Sequence, residues 1–300
     1  MNAIEIRNLS KSFRGMYAVN KLNMTVPVGA IYGFIGENGS GKSTTEKLIC
    51  GHLVPDEGEI KLFGREYTDA GVRVRVGALI ENAGCFPGSS VYQNLMMQAI
   101  NLGIENPDEE IERVLKIVRM EASASIKFKS CSLGMKQRIG IAMALLGKPA
   151  LLILDEPING LDTDGMRIMR EILVDITQTY RCTVLISSHL LGELEKIATH
   201  YGIIRQGRMI QELTAQEMES RARVFVSLKT EDMASAERVL KEKFDNVRAE
   251  EGYLRVYDVN DTESIVEYLL KQGFIVNEVK KNKIGLEEYY VELMSRKENE

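Results

Sequence analysis

The sequence predicts an α/β fold in two parts. The first is a mostly parallel sheet covered by helices and carrying a helical insertion, and the second is a small α+β module. Apolar, strand-like runs alternate with helical patterns along the first two thirds of the chain. After residue 215 the order becomes β-α-β-β-α-β, which is typical of a ferredoxin-like module. We therefore predict a large domain at 1–215, with a helical subdomain at about 84–146, and an accessory module at 216–300.

The elements of the large domain follow from short apolar runs and from the spacing of apolar residues. Apolar runs that end at turn residues predict strands, and an apolar period of three to four residues predicts helices. Strands are predicted at Ile4–Leu9, Leu22–Val26, Ala30–Ile35, Leu151–Leu154 and Val184–Ser187. Helices are predicted at Ser43–Cys50, in the pattern from Ser90 to about Met120, and at Met135–Leu146, Met166–Ile176 and Gly192–Thr199.

The accessory module shows the same two kinds of pattern in a new order. A hairpin is expected around the Glu-Gly pair at 251–252. Strands are predicted at Val224–Leu228, Val247–Ala249, Tyr253–Tyr257 and Ile275–Val279, and helices at Met233–Phe244, Ile265–Leu270 and Leu286–Leu293.

Composition excludes several classes of protein. With 38 basic and 43 acidic residues among 300, the net charge is −5, which argues against a nucleic-acid partner. The longest apolar stretches, Ile139–Leu146 and Leu151–Leu154, are far shorter than the roughly 20 residues that cross a bilayer. The four scattered cysteines have no metal-binding spacing and are expected to be reduced thiols of a cytosolic protein.

A glycine-rich loop follows the predicted strand Ala30–Ile35. Residues 36–43 fit the pattern G-x-x-x-x-G-K-[ST], and a predicted helix comes next. Glycines let backbone N–H groups approach phosphates, and the helix directs its positive N-terminal end at the same anion. Lys42 is expected on the β- and γ-phosphate oxygens, and the Ser43 hydroxyl on Mg²⁺. The nucleotide-binding residues predicted here are Gly36, Glu37, Asn38, Gly39, Ser40, Gly41, Lys42, Ser43 and Thr44.

Two carboxylates, Asp155 and Glu156, follow the apolar run Leu151–Leu154. They are expected at the carboxyl end of a buried strand, where open α/β sheets bind ligands. Asp155 is predicted to hold Mg²⁺ through water, and Glu156 to polarise the water that attacks the γ-phosphate. His189, after another predicted strand, is expected to donate to the γ-phosphate and orient that water. Each pattern alone is common in structural roles, so the catalytic interpretation depends on the upstream phosphate loop.

The segment Ser132–Arg138 reads Ser-Leu-Gly-Met-Lys-Gln-Arg and resembles the signature sequence of ABC ATPases. It is a variant form, with Leu133 and Met135 where that family usually has Gly and Gln. Asn159–Asp162 resembles the D-loop and His189 the H-loop of the same family. Together with the phosphate loop and the acidic pair, the resemblance covers residues 1–215. It implies an ABC-type P-loop NTPase cassette.

The resemblance also implies ligands and partners. In that family the signature of one subunit caps the ATP held by the phosphate loop of the other. It therefore implies ATP and Mg²⁺ as ligands and a second copy of the chain as partner. Ser132 and the Gly134 N–H would meet the γ-phosphate. Integral membrane permease subunits would be separate chains, and this chain would lie on the cytoplasmic face of the membrane.

Two further positions gain a meaning from the resemblance. Phe13 lies where the family has an aromatic ring that stacks on adenine, with Tyr17 as the competing candidate. Glu81 stands in place of the glutamine of the Q-loop and is expected to ligate Mg²⁺. Asn82–Leu95, which follows, is expected to contact the membrane subunits.

Glu81, the signature variant and the appended module together resemble the bacitracin-resistance and lantibiotic-immunity branch of bacterial ABC exporters. Export of an antimicrobial peptide or drug is therefore the expected function. The alternative is a soluble ABC ATPase that acts in translation or DNA repair. Such proteins carry two cassettes or long heptad insertions, and this acidic chain has neither. The module could sense a ligand or stabilise the homodimer, and the transported substrate stays open.

Overall fold

The computed structural model describes residues 1–221, 224–250, 252–257, 259, 261–283 and 285–296. The chain divides into two compact units, Met1–Ala215 and Gln216–Glu300. Within the described residues, no helix combines the length and the apolar character needed to span a membrane.

The first unit contains ten strands and seven α-helices. The strands are β1 (Asn2–Phe13), β2 (Met16–Pro27), β3 (Ile31–Ile35), β4 (Glu57–Leu62), β5 (Arg65–Glu66), β6 (Val76–Leu79), β7 (Leu151–Asp155), β8 (Thr183–Ser188), β9 (His200–Arg205) and β10 (Arg208–Thr214). The helices are α1 (Lys42–Ile49), α2 (Ala70–Arg73), α3 (Val91–Asn101), α4 (Pro107–Ile117), α5 (Leu133–Leu145), α6 (Thr163–Gln178) and α7 (Leu191–Leu194).

The central sheet has the strand order β10-β9-β3-β8-β7-β6. All neighbours are parallel except the edge strand β10, which pairs antiparallel with β9. Every residue of β3 and β8 is buried, as is usual for parallel strands covered on both faces. Ser187 of β8 pairs in register with Phe34 of β3 on one side and with Asp155 of β7 on the other. The carboxyl ends of these three strands therefore meet at one edge of the sheet.

A second sheet is antiparallel, with the order β2-β1-β4-β5. Its inward side chains, such as Leu9, Met24 and Ile60, share one core with Leu48 of α1 and Ile153 of the central sheet. The helix that follows the phosphate loop is thus packed within the main core of the unit.

The helical insertion consists of α3, α4 and α5 and connects β6 with β7. Helix α3 begins with a capping box in which Ser90 and Gln93 satisfy each other's backbone N–H groups. Helix α5 packs closely on β6 at Gly77. A Cβ at this position would lie 1.9 Å from the carbonyl oxygen of Ala144. Only glycine permits this approach, which fixes the insertion to the sheet.

The second unit is a four-stranded antiparallel sheet with helices. Helix α8 (Ala215–Arg221) begins at the last residue of the first unit, and the elements that follow it are β11 (Val224–Thr230), α9 (Met233–Lys243), β12 (Val247–Glu250), β13 (Tyr253–Tyr257), α10 (Thr262–Lys271), β14 (Val276–Lys283) and α11 (Leu286–Arg296). The strand order is β12-β13-β11-β14, and Val226, Leu240, Leu254 and Leu269 lie in one core. From β11 to β14 the elements follow the predicted β-α-β-β-α-β order, which confirms the fold class.

One predicted element is wrong in extent, and several elements were missed. The helix predicted at Gly192–Thr199 is reduced to the single turn Leu191–Leu194. The chain leaves the helical path because the N–H of Thr199 donates to the carbonyl oxygen of Ile31 at 2.8 Å, which draws this segment towards the central sheet. Strands β4, β5, β6, β9 and β10 and helices α2 and α8 were not predicted from the sequence.

Candidate active site

The phosphate loop lies between the end of β3 and the start of α1, as predicted. Gly41 has a φ of +111°, and a Cβ there would lie 2.4 Å from the carbonyl oxygen of Ala18. A side chain at this position is therefore excluded on both steric and backbone grounds. Gly41 caps α1 without any side-chain hydrogen bond, so the first N–H groups of the helix are left for another acceptor. Residues Glu37–Gly39 form the exposed tip of the loop.

Lys42 is buried, with only 6% of its surface exposed. Its Nζ donates to the carbonyl oxygens of Gly36 at 2.7 Å and Glu37 at 3.1 Å, so the loop folds around its own ammonium group. The Ser40 hydroxyl is buried without a hydrogen-bond partner. An ammonium, an unpartnered hydroxyl and an uncapped helix terminus at one place fit the oxygens of a phosphate.

Asp155 is the last residue of β7 and Glu156 follows it, and both form hydrogen bonds with Ser187 of β8. The Ser187 hydroxyl donates to Asp155 Oδ1 at 2.8 Å. The Glu156 N–H lies 3.1 Å from the carbonyl oxygen and 3.2 Å from the hydroxyl oxygen of the same serine. Glu156 has a φ of +50°, so the chain turns sharply between the two acids. The sequence analysis did not predict Ser187 as a site residue. Its position two residues before the predicted site residue His189 is the signal that could have identified it.

His189 and Glu156 are brought together, as their predicted roles require. His189 Nδ1 lies 2.9 Å from Glu156 Oε2. That carboxylate oxygen nevertheless accepts no well-directed hydrogen bond, so the contact is one of proximity rather than a formed bond. Glu156 is mostly buried, whereas His189 is about half exposed. The carboxylate therefore keeps an acceptor free in a partly desolvated position, which suits a group that receives a proton from water.

Glu81 lies after β6 and carries a φ of +63°. Its Oε1 forms an ion pair with Lys47 Nζ of α1 at 2.6 Å, and its side chain is 63% exposed. The ion pair connects the Q-loop position with the helix that follows the phosphate loop. Lys47 had no predicted role, and its contribution depends on this long-range contact. Metal ligation by Glu81, Ser43 and Asp155 stays a prediction.

Phe13 and Tyr17 lie on the hairpin between β1 and β2. Both rings are exposed, at 46% for Phe13 and 58% for Tyr17. Lys11 Nζ lies 5.7 Å from the centre of the Phe13 ring, and Tyr17 pairs across the hairpin with Ser12. Either ring is available to stack on a base, so the choice between them stays open.

The signature segment lies at the start of α5, the last helix of the insertion. Ser132 is exposed and caps the helix, accepting from the Met135 N–H at 3.3 Å. Leu133 is half exposed and packs on the predicted D-loop, since a Cβ at Gly160 would lie 3.0 Å from Leu133 Cδ2. Gly134 is likewise close to Leu161 of that loop. The two motifs therefore form one surface within the chain, and Ser132 is accessible to another molecule.

Glu46 of α1 is a buried acid that the sequence interpretation did not use. It is 0% exposed, and neither of its carboxylate oxygens has a hydrogen-bond partner. Burial and the neighbouring charge of Asp155 raise the pKa of Glu46 from 4.5 to about 8. The signal in the sequence that could have identified Glu46 is a charged residue close to the apolar pair Leu48 and Ile49 in a short predicted helix. All three side chains are buried in the structure.

Comparison with protein families agrees with this geometry. A family model described as "ABC transporter" matches residues 19–159. The bacitracin transport ATP-binding protein of Bacillus licheniformis is 33% identical over 297 residues, covering 97% of this chain and 97% of that protein. The lantibiotic transport ATP-binding protein of Streptococcus pyogenes is 38% identical over 209 residues, covering 70% of this chain and 90% of that protein.

Solved structures are similar to a little over 70% of the chain. A subunit of the cbiONQ ABC transporter complex of Clostridium perfringens superposes with a TM-score of 0.67 at 26% identity, covering 73% of this chain and 91% of that chain. A dimeric ATP-binding cassette in a post-hydrolysis state, bound to ADP and phosphate, gives a TM-score of 0.65 at 21% identity. It covers 71% of this chain and 98% of its own, and at that identity it supports the fold alone.

Proposed function

Because the chain belongs to the ABC transporter ATP-binding proteins, which bind and hydrolyse ATP, we propose that it acts as a head-to-tail homodimer around two MgATP molecules. ATP binding and hydrolysis would drive export of an antimicrobial peptide or drug through separate membrane subunits. The observation that carries the proposal is the meeting of the phosphate loop, Asp155, Glu156 and His189 at one edge of the central sheet.

The residues of this edge divide into binding and catalytic groups. Lys42 and the open N-terminus of α1 would hold the phosphates, and Phe13 or Tyr17 would stack on adenine. Ser43 and Asp155 supply the hydroxyl and carboxylate oxygens that suit Mg²⁺, which would neutralise phosphate charge. For the Lys42 ammonium, phosphate oxygens would replace the loop carbonyls as hydrogen-bond acceptors.

Hydrolysis would depend on Glu156 as the base. Its Oε2 lacks a directed hydrogen bond and can accept a proton from the attacking water. His189 beside it would orient that water and donate to the γ-phosphate. Ser187 holds the backbone of Glu156 and the carboxylate of Asp155 together, so the base and the metal-binding acid keep a fixed separation.

Dimerisation is supported by the exposure of the signature. Ser132 and Leu133 lie at the accessible start of α5, where the helix dipole favours an anion. In the head-to-tail arrangement, Ser132 and the Gly134 N–H of one subunit would meet the γ-phosphate bound by the other. The γ-phosphate would then satisfy donors on both subunits, and its loss would open the pair.

Coupling to membrane subunits is assigned to Asn82–Leu95, with Glu81 at its base. Asn94 holds this segment in shape, since it accepts from the Phe86 N–H at 2.7 Å and donates to the Phe86 carbonyl at 3.2 Å. The Phe86 ring itself is 61% exposed. A loop that is held by these hydrogen bonds and presents an exposed aromatic ring suits a docking partner. The chain would thus lie at the cytoplasmic face of the membrane.

The export function is tested in the native host with the chromosomal gene carrying Glu156→Gln. Inhibitory concentrations of bacitracin, of a lantibiotic and of unrelated small drugs are compared with those of the wild-type strain. Lower tolerance of a peptide antibiotic supports peptide export, and lower tolerance of small drugs alone supports a drug exporter. Unchanged tolerance throughout, together with a defect in translation or DNA repair, would favour the alternative function.

Cross-linking at Phe86 in membranes tests the permease contact, and capture of no integral membrane protein would contradict it.

A further inference from the structure

Helix α7 follows the predicted switch histidine and consists of a single turn. One turn closes too few hydrogen bonds to be stable by itself, so its position depends on contacts with the rest of the unit. Leu194 supplies an apolar contact, since its side chain is fully buried. Glu193 supplies a polar one, with only 18% of its side chain exposed. The placement of this turn matters for the site because His189 lies two residues before it.

Glu193 forms an ion pair with Arg170 of α6. The Arg170 guanidinium donates to Glu193 Oε2, and 22% of the Arg170 side chain is exposed. The other carboxylate oxygen of Glu193, Oε1, accepts from Lys196 Nζ at 2.6 Å. A charge-assisted hydrogen bond in such a partly buried position is strong, and removing one partner would leave the other charge poorly solvated. The pair therefore holds α7 against α6.

Hydrogen bonds on either side of His189 connect the histidine with this ion pair. The Glu193 N–H donates to the carbonyl oxygen of Leu190 at 3.1 Å, and the Leu190 N–H donates to Ser188 Oγ at 3.0 Å. His189 itself lies beyond the end of β8 and before the start of α7, so its backbone belongs to neither element. Its Nδ1 lies 2.9 Å from Glu156 Oε2. The direction of the ring is thus set by the two anchors that flank it, β8 and the turn held by Glu193.

Helix α6 is a firm anchor for the turn. It has 16 residues, and Asp162 of the predicted D-loop caps it by accepting from the Gly165 N–H at 2.9 Å. Its buried side chains are Met169, Ile172, Leu173 and Ile176. Arg170 therefore connects a long, well-packed helix with a single turn that has little stability of its own.

We propose that Arg170 is a positioning residue that holds His189 beside Glu156 through its ion pair with Glu193. Arg170 acts through the histidine and not on the nucleotide. Without the pair, α7 keeps the apolar anchor Leu194 but loses the polar one, and His189 samples more orientations. The inference rests on the proposed role of His189 in hydrolysis.

Three substitutions in the full chain separate this ion pair from others on the same helix. Arg170→Met removes the guanidinium and keeps an apolar stem, whereas Arg170→Lys keeps a charged donor and tests rescue. Arg167→Met is the matched control, because Arg167 is about half exposed and its ion pairs, with Asp164 and Glu171, lie within α6. If Arg170→Met does not fold, Glu193→Gln breaks the same pair with a side chain of equal size.

The first readout is the steady-state ATPase rate against ATP concentration in excess Mg²⁺, together with the melting temperature. In Arg170→Met, kcat is expected to fall about tenfold while KM stays within about twofold, because a displaced catalytic group affects turnover more than binding. Arg170→Lys should return to within about threefold of the wild type, and Arg167→Met should match the wild type. A lower melting temperature in Arg170→Met with an unchanged kcat for the folded protein would overturn the proposal.

Combination with His189→Ala tests whether Arg170 acts through the histidine. If it does, Arg170→Met should cause no further loss of turnover once the imidazole is absent. Single-turnover assays with enzyme in excess make the low rates measurable. An equal fold-loss from Arg170→Met in the presence and absence of the imidazole would overturn the proposal.

The second readout does not depend on turnover. The chain has 3 histidines, so the ring signals of His189 can be identified by NMR from their loss in His189→Ala. Arg170→Met should shift or broaden these signals and leave those of His52 unchanged, and unchanged His189 signals would overturn the proposal. Normal turnover in His189→Ala would instead remove the proposed catalytic role of His189, and the NMR signals would still decide whether Arg170 positions the ring.

Discussion

Replacing Glu46 by Gln is expected to change how the free energy of unfolding depends on pH. Burial, with the nearby Asp155 charge, raises the pKa of Glu46 from 4.5 to about 8 in the folded protein. The folded state therefore retains a proton that the unfolded chain releases above pH 4.5. The stability contribution of this group is complete below that pH and is lost as the pH rises towards 8. Gln cannot ionise, so the substitution removes this dependence.

The size of the effect follows from the same pKa values. Between pH 5.5 and 7.5 the folded and unfolded states differ by almost one bound proton, which corresponds to about 1.4 kcal/mol for each pH unit. Integrated over this interval, the wild type should lose about 2.5 kcal/mol more than Glu46→Gln. The stability of the variant relative to the wild type should thus rise with pH.

The measurement is urea unfolding of both full-length proteins at pH 5.5, 6.5 and 7.5, without nucleotide and with EDTA. Glu59→Gln is the matched control, because it makes the same substitution at an exposed position on β4. Parallel stability curves for the wild type and Glu46→Gln would refute the reasoning. Such a result would mean that Glu46 is as well solvated in the folded protein as in the unfolded chain.

Three further predictions concern Lys42, Glu81 and the C-terminal module. Lys42→Ala should weaken ATP binding by more than about tenfold, because a buried ammonium is the cation of the loop, and unchanged affinity by calorimetry would contradict the phosphate-cradle role. Glu81→Gln should remain active but need more Mg²⁺, whereas Glu81→Ala should lose most turnover while still binding ATP. If the wild type and Glu81→Ala gave the same ATPase rate at every Mg²⁺ concentration, Glu81 would have no role in metal binding or turnover. A chain truncated after residue 220 should stay folded and bind ATP, because every nucleotide-site motif lies upstream, and its insolubility would show that the C-terminal module belongs to the core.

The parts of the site that the sequence predicted are those set by local structure. The phosphate loop is one short motif between a strand and a helix, and the acidic pair immediately follows an apolar strand. Both can therefore be located in the sequence without knowing which strands pair in the sheet. Lys42 therefore begins α1 directly after the phosphate loop, and Asp155 and Glu156 lie at the carboxyl end of β7, as the motifs predict.

The parts that were missed depend on strand register and on contacts between distant segments. Ser187 meets Asp155 only because β8 pairs with β7 in a particular register, across 32 residues of sequence. Lys47 meets Glu81 across 34 residues, and the burial of Glu46 depends on which face of an eight-residue helix packs inward. The helix expected at Gly192–Thr199 is wrong for the same kind of reason, since a backbone hydrogen bond to β3 outweighs its local helical pattern.

The most direct test of the catalytic assignment is ATP turnover by Glu156→Gln, measured together with the mass of the protein in solution in MgATP. Gln retains the shape of the side chain but cannot accept the proton, so turnover should fall by about 10²-fold or more while ATP binding is kept. Light scattering should then show a stable dimer that needs ATP, because the γ-phosphate stays in place between the two subunits. Turnover close to that of the wild type, or a variant that remains monomeric in MgATP, would contradict the proposed mechanism.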